Sequence, residues 1–225
     1  TLIRLVTAYA IIVNGGKGIK PTLIDRIQNR YGKTVFRHDT RDCDNCMNVV
    51  WKNQRPPQPP DLRRKLLDKK TAYQMVSMLK GVVDRGTGVK VSKVGKPLAG
   101  KTGTTNDSFD TWFVGFSPDL AVGVYVGFDV PRPMGYKETG STVAAPIFRD
   151  FMSAALEGRP AIPFRVPTGI RLVRVNVKTG LVAERGEKGV VLEAFKSGTE
   201  PNEIGPIIDG GYWPEGEPRL EQRIY

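Results

Sequence analysis

Two apolar runs separated by a three-residue turn limit this chain to folds that contain an antiparallel sheet. The runs cover residues 111–116 and 120–128, and Ser117-Pro118-Asp119 joins them. So short a link can connect antiparallel neighbours only, because a parallel crossover needs a dozen or more residues. A third strand-like run precedes them at 97–104. The expected sheet therefore has at least three strands.

Helices are predicted before and after these runs. Residues 69–83 follow Asp68, a typical N-cap, and residues 142–156 form the second helical segment. Their apolar positions recur at helical spacing. In the first helix these positions are Ala72, Met75, Val76, Leu79 and Val83, and in the second they are Ala145, Ile147, Phe148, Phe151, Met152 and Ala155. An antiparallel sheet flanked by helices is an α+β fold.

The N-terminal part carries smaller signals. Thr1 is a candidate N-cap for a first helix that ends at Asn14-Gly15-Gly16, and a small hairpin is expected over 21–36. Residues 37–60 are polar and end in a proline-rich stretch, which predicts an exposed insertion. We expect residues 1–157 to form one unit that includes this insertion.

The C-terminal part changes in composition. Residues 170–177 alternate as one strand, and residues 181–183 are its candidate partner across a turn. Few periodic apolar positions follow Ser197, which predicts a tail. Residues 158–225 are therefore expected to be a β-rich extension and tail.

Charge and cysteine content narrow the classes of function. The net charge of +11 permits attraction to nucleic acid, anionic lipid or an acidic polymer, but no basic run or Cys/His finger spacing supports a nucleic-acid binder. Cys43 and Cys46 form one CxxC, which predicts a local disulfide or two free thiols, since a zinc site needs further ligands and His38 is the one histidine. No apolar run is long enough to span a membrane, and the first ten residues lack a signal-peptide pattern.

The segment Gly100-Lys101-Thr102-Gly103-Thr104-Thr105, followed by Trp112-Phe113, is the most informative part of the sequence. It resembles the Lys-Thr-Gly motif of the penicillin-binding proteins and serine β-lactamases. The runs TWFVGFSPDLAVGVYVGFD, TAYQMVSMLKGVVDRGTG, TAYAIIVNGG and VAAPIFRDFM are similar to class A, bifunctional penicillin-binding proteins. The resemblance covers residues 1–157 and implies the C-terminal part of their transpeptidase domain.

The resemblance implies a serine D,D-transpeptidase that cross-links peptidoglycan and binds β-lactams. Lys101, Thr102 and Thr104 would hold the carboxylate of a stem peptide ending in D-Ala-D-Ala, next to Gly103 and Thr105 on the same substrate strand. The Thr104 N–H would form half of the oxyanion hole. No metal or organic cofactor is expected. The remainder of the domain, a glycosyltransferase domain and an anchor at the periplasmic face of the inner membrane would lie outside this sequence.

The serine nucleophile of the family is not expected in this chain. Ser77 and Lys80 match the pattern S-x-x-K, but they lie too close to Lys101 to leave room for a helical subdomain, and no S-x-N follows. We therefore expect the nucleophile in a preceding segment and an inactive fragment. Asp107 and Asp110 are expected to make hydrogen bonds in a turn.

Two other interpretations stay open. One is a β-lactamase, which the long extension past Leu156 disfavours. The other is a non-catalytic module of the same fold that binds peptidoglycan or a partner.

Overall fold

A computed structural model of the chain describes residues 1–41, 50, 53 and 59–201. The predictions for Cys43 and Cys46, for most of the 37–60 insertion and for the tail beyond 201 lie outside the described residues. Among the described residues, no helix has both the length and the apolar character needed to cross a membrane. The division of the chain at residue 158 stays a prediction.

Three α-helices and seven strands make up the described regular structure, together with short 3₁₀ and π turns. The helices are α1 (Leu2–Val13), α2 (Lys69–Arg85) and α3 (Ala145–Ala155). The strands are β1 (Arg26–Gln28), β2 (Thr34–Arg37), β3 (Ala99–Thr104), β4 (Asp110–Phe116), β5 (Ala121–Gly127), β6 (Ile170–Asn176) and β7 (Val190–Lys196).

The central sheet is antiparallel in the order β3-β4-β5, as the sequence predicts. The Ser117 N–H donates to the Leu120 carbonyl at 2.9 Å and closes the turn between β4 and β5. The expected hairpin β1–β2 is present as well. This α+β arrangement confirms the predicted fold class.

Apolar side chains cover both faces of the sheet. On one face Phe113 packs against Phe148 of α3, with ring centroids 4.6 Å apart, and both are fully buried. On the other face Phe116 packs with Val76 and Leu79 of α2 and with Tyr9 of α1. Helix α2 therefore packs against this face of the sheet and against Ala99, the first residue of β3.

The N-cap predictions have different outcomes. Asp68 caps α2 as expected, because its carboxylate accepts hydrogen bonds from the N–H groups of Lys70 and Thr71. Thr1 precedes α1, but its hydroxyl makes no capping hydrogen bond. Its backbone carbonyl instead accepts from the N–H groups of Arg4 and Leu5.

Some apolar positions predicted to face the core are exposed. Ile147 and Phe151 of α3 are 48% and 52% exposed, because Ala145, Phe148 and Met152 form the buried stripe and these two lie on the adjacent one. Met75 of α2 is exposed for the same geometric reason. The buried stripe of a helix covers only part of its circumference, so the sequence prediction assigned too many apolar positions to the core.

The predicted pairing of β6 with residues 181–183 is present only as a short bridge, and its longer partner was not predicted. β6 pairs along its whole length with β7, and residues 181–183 contribute only a bridge between Val175 and Val182 with two flanking hydrogen bonds. The β6–β7 hairpin contacts α2 through a hydrogen bond from Gln74 Nε2 to the Ala194 carbonyl at 3.0 Å. Arg85 and Glu193 form an ion pair at the same contact.

Candidate active site

Strand β3 carries the Lys-Thr-Gly residues and lies at the edge of the described sheet. It pairs with β4 on one side, and no described strand pairs with its other side. Its first residues, Ala99 and Gly100, are buried, whereas Lys101 and Thr104 are exposed. The strand therefore begins in the core and ends with its functional groups accessible.

The backbone of β3 directs alternate N–H groups to its open edge. Thr105 N donates to the Asp110 carbonyl of β4 at 3.2 Å, so the preceding N–H, that of Thr104, points away from β4. The same alternation directs the backbone groups of Thr102 outward. A chain that approaches this edge meets the donors of Thr102 and Thr104.

Two side chains converge on the Thr102 hydroxyl. Lys101 Nζ donates to the Thr102 carbonyl at 2.8 Å and lies 3.4 Å from Thr102 Oγ1. Thr87 Oγ1 lies 2.7 Å from the same hydroxyl oxygen. In the sequence, the one signal that Thr87 carries is its position between Gly86 and Gly88, which marks a tight turn beside the helix end.

The Thr104 side chain is held from a different part of the chain. Its Oγ1 accepts a hydrogen bond from the N–H of Gly140 at 3.0 Å. Gly140 begins the short π turn Gly140–Ala144 before α3, where a Cβ would lie 2.5 Å from the Gly103 carbonyl oxygen and 2.6 Å from that of Trp112. Only glycine fits this close approach, and no pattern in the sequence distinguishes Gly140 from the other glycines.

Thr105 and Asp110 close the turn between β3 and β4. The Thr105 hydroxyl donates to the Asp110 carbonyl at 3.2 Å and accepts from the Asp110 N–H at 2.9 Å. The Asp110 carboxylate accepts from Trp112 Nε1 at 2.6 Å. Asp107 has a positive φ of 56° within this turn. The hydrogen bonds of Thr105 and Asp110 thus shape the end of the strand.

Ser77 and Lys80 both lie on α2. The Lys80 ammonium forms an ion pair with Asp84, one turn further along the helix. The structure thus brings Lys101, Thr102, Thr104 and Thr87 together and leaves the S-x-x-K pair on the helix.

Comparisons with known proteins give one consistent result. The family model for "Penicillin binding protein transpeptidase domain" matches residues 1–153. Penicillin-binding protein 1A of Rickettsia conorii is 46% identical over 199 residues, which are 87% of this chain and 25% of that protein. Penicillin-binding protein 1A of Pseudomonas aeruginosa is 33% identical over an alignment of 243 positions, which covers 94% of this chain and 29% of that protein.

A solved structure agrees with these sequence relatives. The crystal structure of penicillin-binding protein 1A from Haemophilus influenzae matches with a TM-score of 0.71 and 28% identity, covering 90% of this chain and 32% of that chain. The chain spans about a quarter of the length of the first curated relatives that it matches.

Proposed function

The chain belongs to the penicillin-binding protein transpeptidase family, in its class A branch, and from this premise we propose that it forms the substrate-binding part of a peptidoglycan D,D-transpeptidase. In this reaction a serine hydroxyl attacks the penultimate D-Ala carbonyl of a donor stem peptide, and the terminal D-Ala leaves with a proton on its amine. The amine of a neighbouring stem peptide then displaces the serine and forms the cross-link.

The observation that carries the proposal is the set of groups at the open edge of β3. Lys101 supplies a positive charge and Thr102 a hydroxyl, separated by 3.4 Å. A donor stem peptide ends in a carboxylate, and charge-assisted hydrogen bonds are the strong way to bind one. The carboxylate that β-lactams carry would occupy the same place.

The same edge suits the peptide backbone of the donor. Gly103 has no side chain, so an extended peptide can lie against β3 as an added strand. The outward N–H of Thr104 is then available to the oxygen of the attacked carbonyl. A donor directed at a developing oxyanion is worth about 3–4 kcal/mol of the barrier.

The nucleophile must come from residues outside this sequence. Ser77 is an unsuitable candidate because only twenty residues separate Lys80 from Lys101, which leaves no room for the helical subdomain that the family carries between the two motifs. The serine, its lysine and the S-x-N residues therefore belong to the rest of the transpeptidase domain. Alone, the 225-residue chain is inactive.

The cellular setting follows the family. We place the parent protein at the periplasmic face of the inner membrane, where an anchor and a glycosyltransferase domain outside this sequence would accompany it. Its partners are stem peptides ending in D-Ala-D-Ala, and its inhibitors are β-lactams. The chemistry needs no metal or organic cofactor, because serine and its lysine supply nucleophile and base.

Intact-mass spectrometry after incubation with a fluorescent penicillin tests this proposal. We expect one stable penicilloyl adduct on a longer chain extended towards the N-terminus and none on the 225-residue chain. Ser77→Ala in the longer chain should leave labelling unchanged. Labelling of the short chain at Ser77 would refute the assignment of the nucleophile. An adduct that is rapidly hydrolysed would indicate a β-lactamase, and binding without an adduct would indicate a non-catalytic module.

A further inference from the structure

The hydroxyl of Thr102 has two neighbours that can donate to it. A threonine hydroxyl has one proton to donate and two lone pairs to accept. The Lys101 ammonium at 3.4 Å can only donate, and Thr87 Oγ1 at 2.7 Å can fill the second lone pair. When both donate, the single proton of Thr102 is left for a third group.

From this geometry we propose that Thr87 is a positioning residue for the substrate carboxylate. Thr87 donates its proton to Thr102, and Thr102 donates its own to the carboxylate of the donor peptide or β-lactam. Without Thr87 the Thr102 proton can rotate between several acceptors. This inference rests on the proposed function and adds a residue to the same site.

The position of Thr87 is set by the fold and not by the ligand. The N–H groups of Gly86 and Gly88 both donate to the Val82 carbonyl at the end of α2, at 3.1 and 3.0 Å. Gly88 is buried against Phe113, whose ring would lie 3.3 Å from an added Cβ. Thr87 is therefore held between two anchored residues, with its hydroxyl directed at β3.

A hydroxyl oriented in advance has a larger effect on a charged group than on a neutral one. Hydrogen bonds to ions are roughly twice as strong as neutral pairs, and linked hydrogen bonds strengthen each other in a site of low dielectric constant. Thr87 should therefore favour ligands with a free carboxylate over ligands in which that group is esterified.

The test uses the full-length parent protein and two penicillins that differ only in the carboxylate, a free acid and its methyl ester. The measured quantity is the ratio of their second-order acylation rate constants. Loss of one hydrogen bond should lower that ratio in Thr87→Val by roughly 5- to 10-fold. Thr87→Ser keeps the hydroxyl and should restore the ratio to within about twofold of the wild type.

Ser92 offers a matched control, since its hydroxyl lies in the following turn and bonds the Val89 carbonyl at 2.8 Å. Ser92→Ala should leave the ratio unchanged. Thr87 is exposed in the described chain, so Thr87→Val is expected to fold, and Thr87→Ala serves as a second variant.

The possible outcomes separate this inference from the proposed function. Equal slowing of both penicillins, or no rescue by serine, would overturn the positioning role and assign Thr87 to loop structure. An unchanged ratio in Thr87→Val and Thr87→Ala would overturn it as well. A wild-type protein that is not acylated by either penicillin would instead refute the proposed function, and the inference with it.

Discussion

Replacing Gly140 by alanine should separate the π turn before α3 from the Lys-Thr-Gly strand. The added Cβ would lie 2.5 Å from the Gly103 carbonyl oxygen and 2.6 Å from that of Trp112. Both atoms are backbone atoms of paired strands and cannot rotate away, so the turn itself must move. That movement stretches the hydrogen bond from the Gly140 N–H to Thr104 Oγ1.

The expected destabilisation can be estimated from opposing contributions. Forcing an extra carbon into a close-packed site costs about 1–3 kcal/mol. Losing the hydrogen bond to Thr104 adds about 1 kcal/mol. Alanine restricts the unfolded chain more than glycine does, which stabilises the folded state by about 0.4–1 kcal/mol. The sum is a loss of about 2 kcal/mol, equivalent to a fall in Tm of about 4–8 °C for a chain of this size.

Thermal unfolding followed by circular dichroism measures this difference. Gly81→Ala is the matched control, because the three atoms nearest to its new Cβ all belong to the flexible guanidinium of Arg85. In the interior of α2 the exchange should be neutral or stabilising, by up to about 1 kcal/mol. Equal Tm values for wild type and Gly140→Ala would show that the turn does not pack tightly on β3, and the assignment of Gly140 would then be wrong.

Two further predictions concern the scaffold. Phe148→Ala removes the contact with Phe113 and should lower the free energy of unfolding by about 3–5 kcal/mol. Phe151→Ala, on the exposed side of the same helix, should lower it by less than about 1 kcal/mol. Equal losses of unfolding free energy in urea would contradict the assigned core. Loss of solvent acts to raise the pKa of Asp68, but hydrogen bonds from the Thr71 and Lys70 N–H groups, together with the nearby Lys65 ammonium, outweigh it and hold the pKa below its ordinary value. The stabilisation that the Asp68 carboxylate gives is therefore complete at a pH above the ordinary pKa of aspartate. It is lost as the pH falls through the lower pKa that Asp68 has in the folded state. Asp68→Asn should flatten the decline of Tm in acid, and an unchanged decline would argue against this N-cap.

Local sequence determined the elements whose signals lie within a few residues. Asp68 and the helical spacing behind it predicted α2, and the short link at 117–119 fixed β4 and β5 as antiparallel neighbours. Steric and hydrogen-bonding preferences of this kind act between close neighbours in the chain, so they can be recognised without a structure. The run at 97–104 was recognised as a strand in the same way, whereas its Lys-Thr-Gly residues were recognised by their resemblance to a family motif.

Tertiary structure decided which distant residues meet. Thr87 reaches Thr102 across 15 residues and Gly140 reaches Thr104 across 36, and neither pair has a periodic signal. The longer partner of β6, Val190–Lys196, was not predicted because it lies further along the chain than residues 181–183, which make only a short bridge with the same strand. Such contacts depend on how helices and strands pack around a shared core, which is a property of the whole chain and not of any local segment.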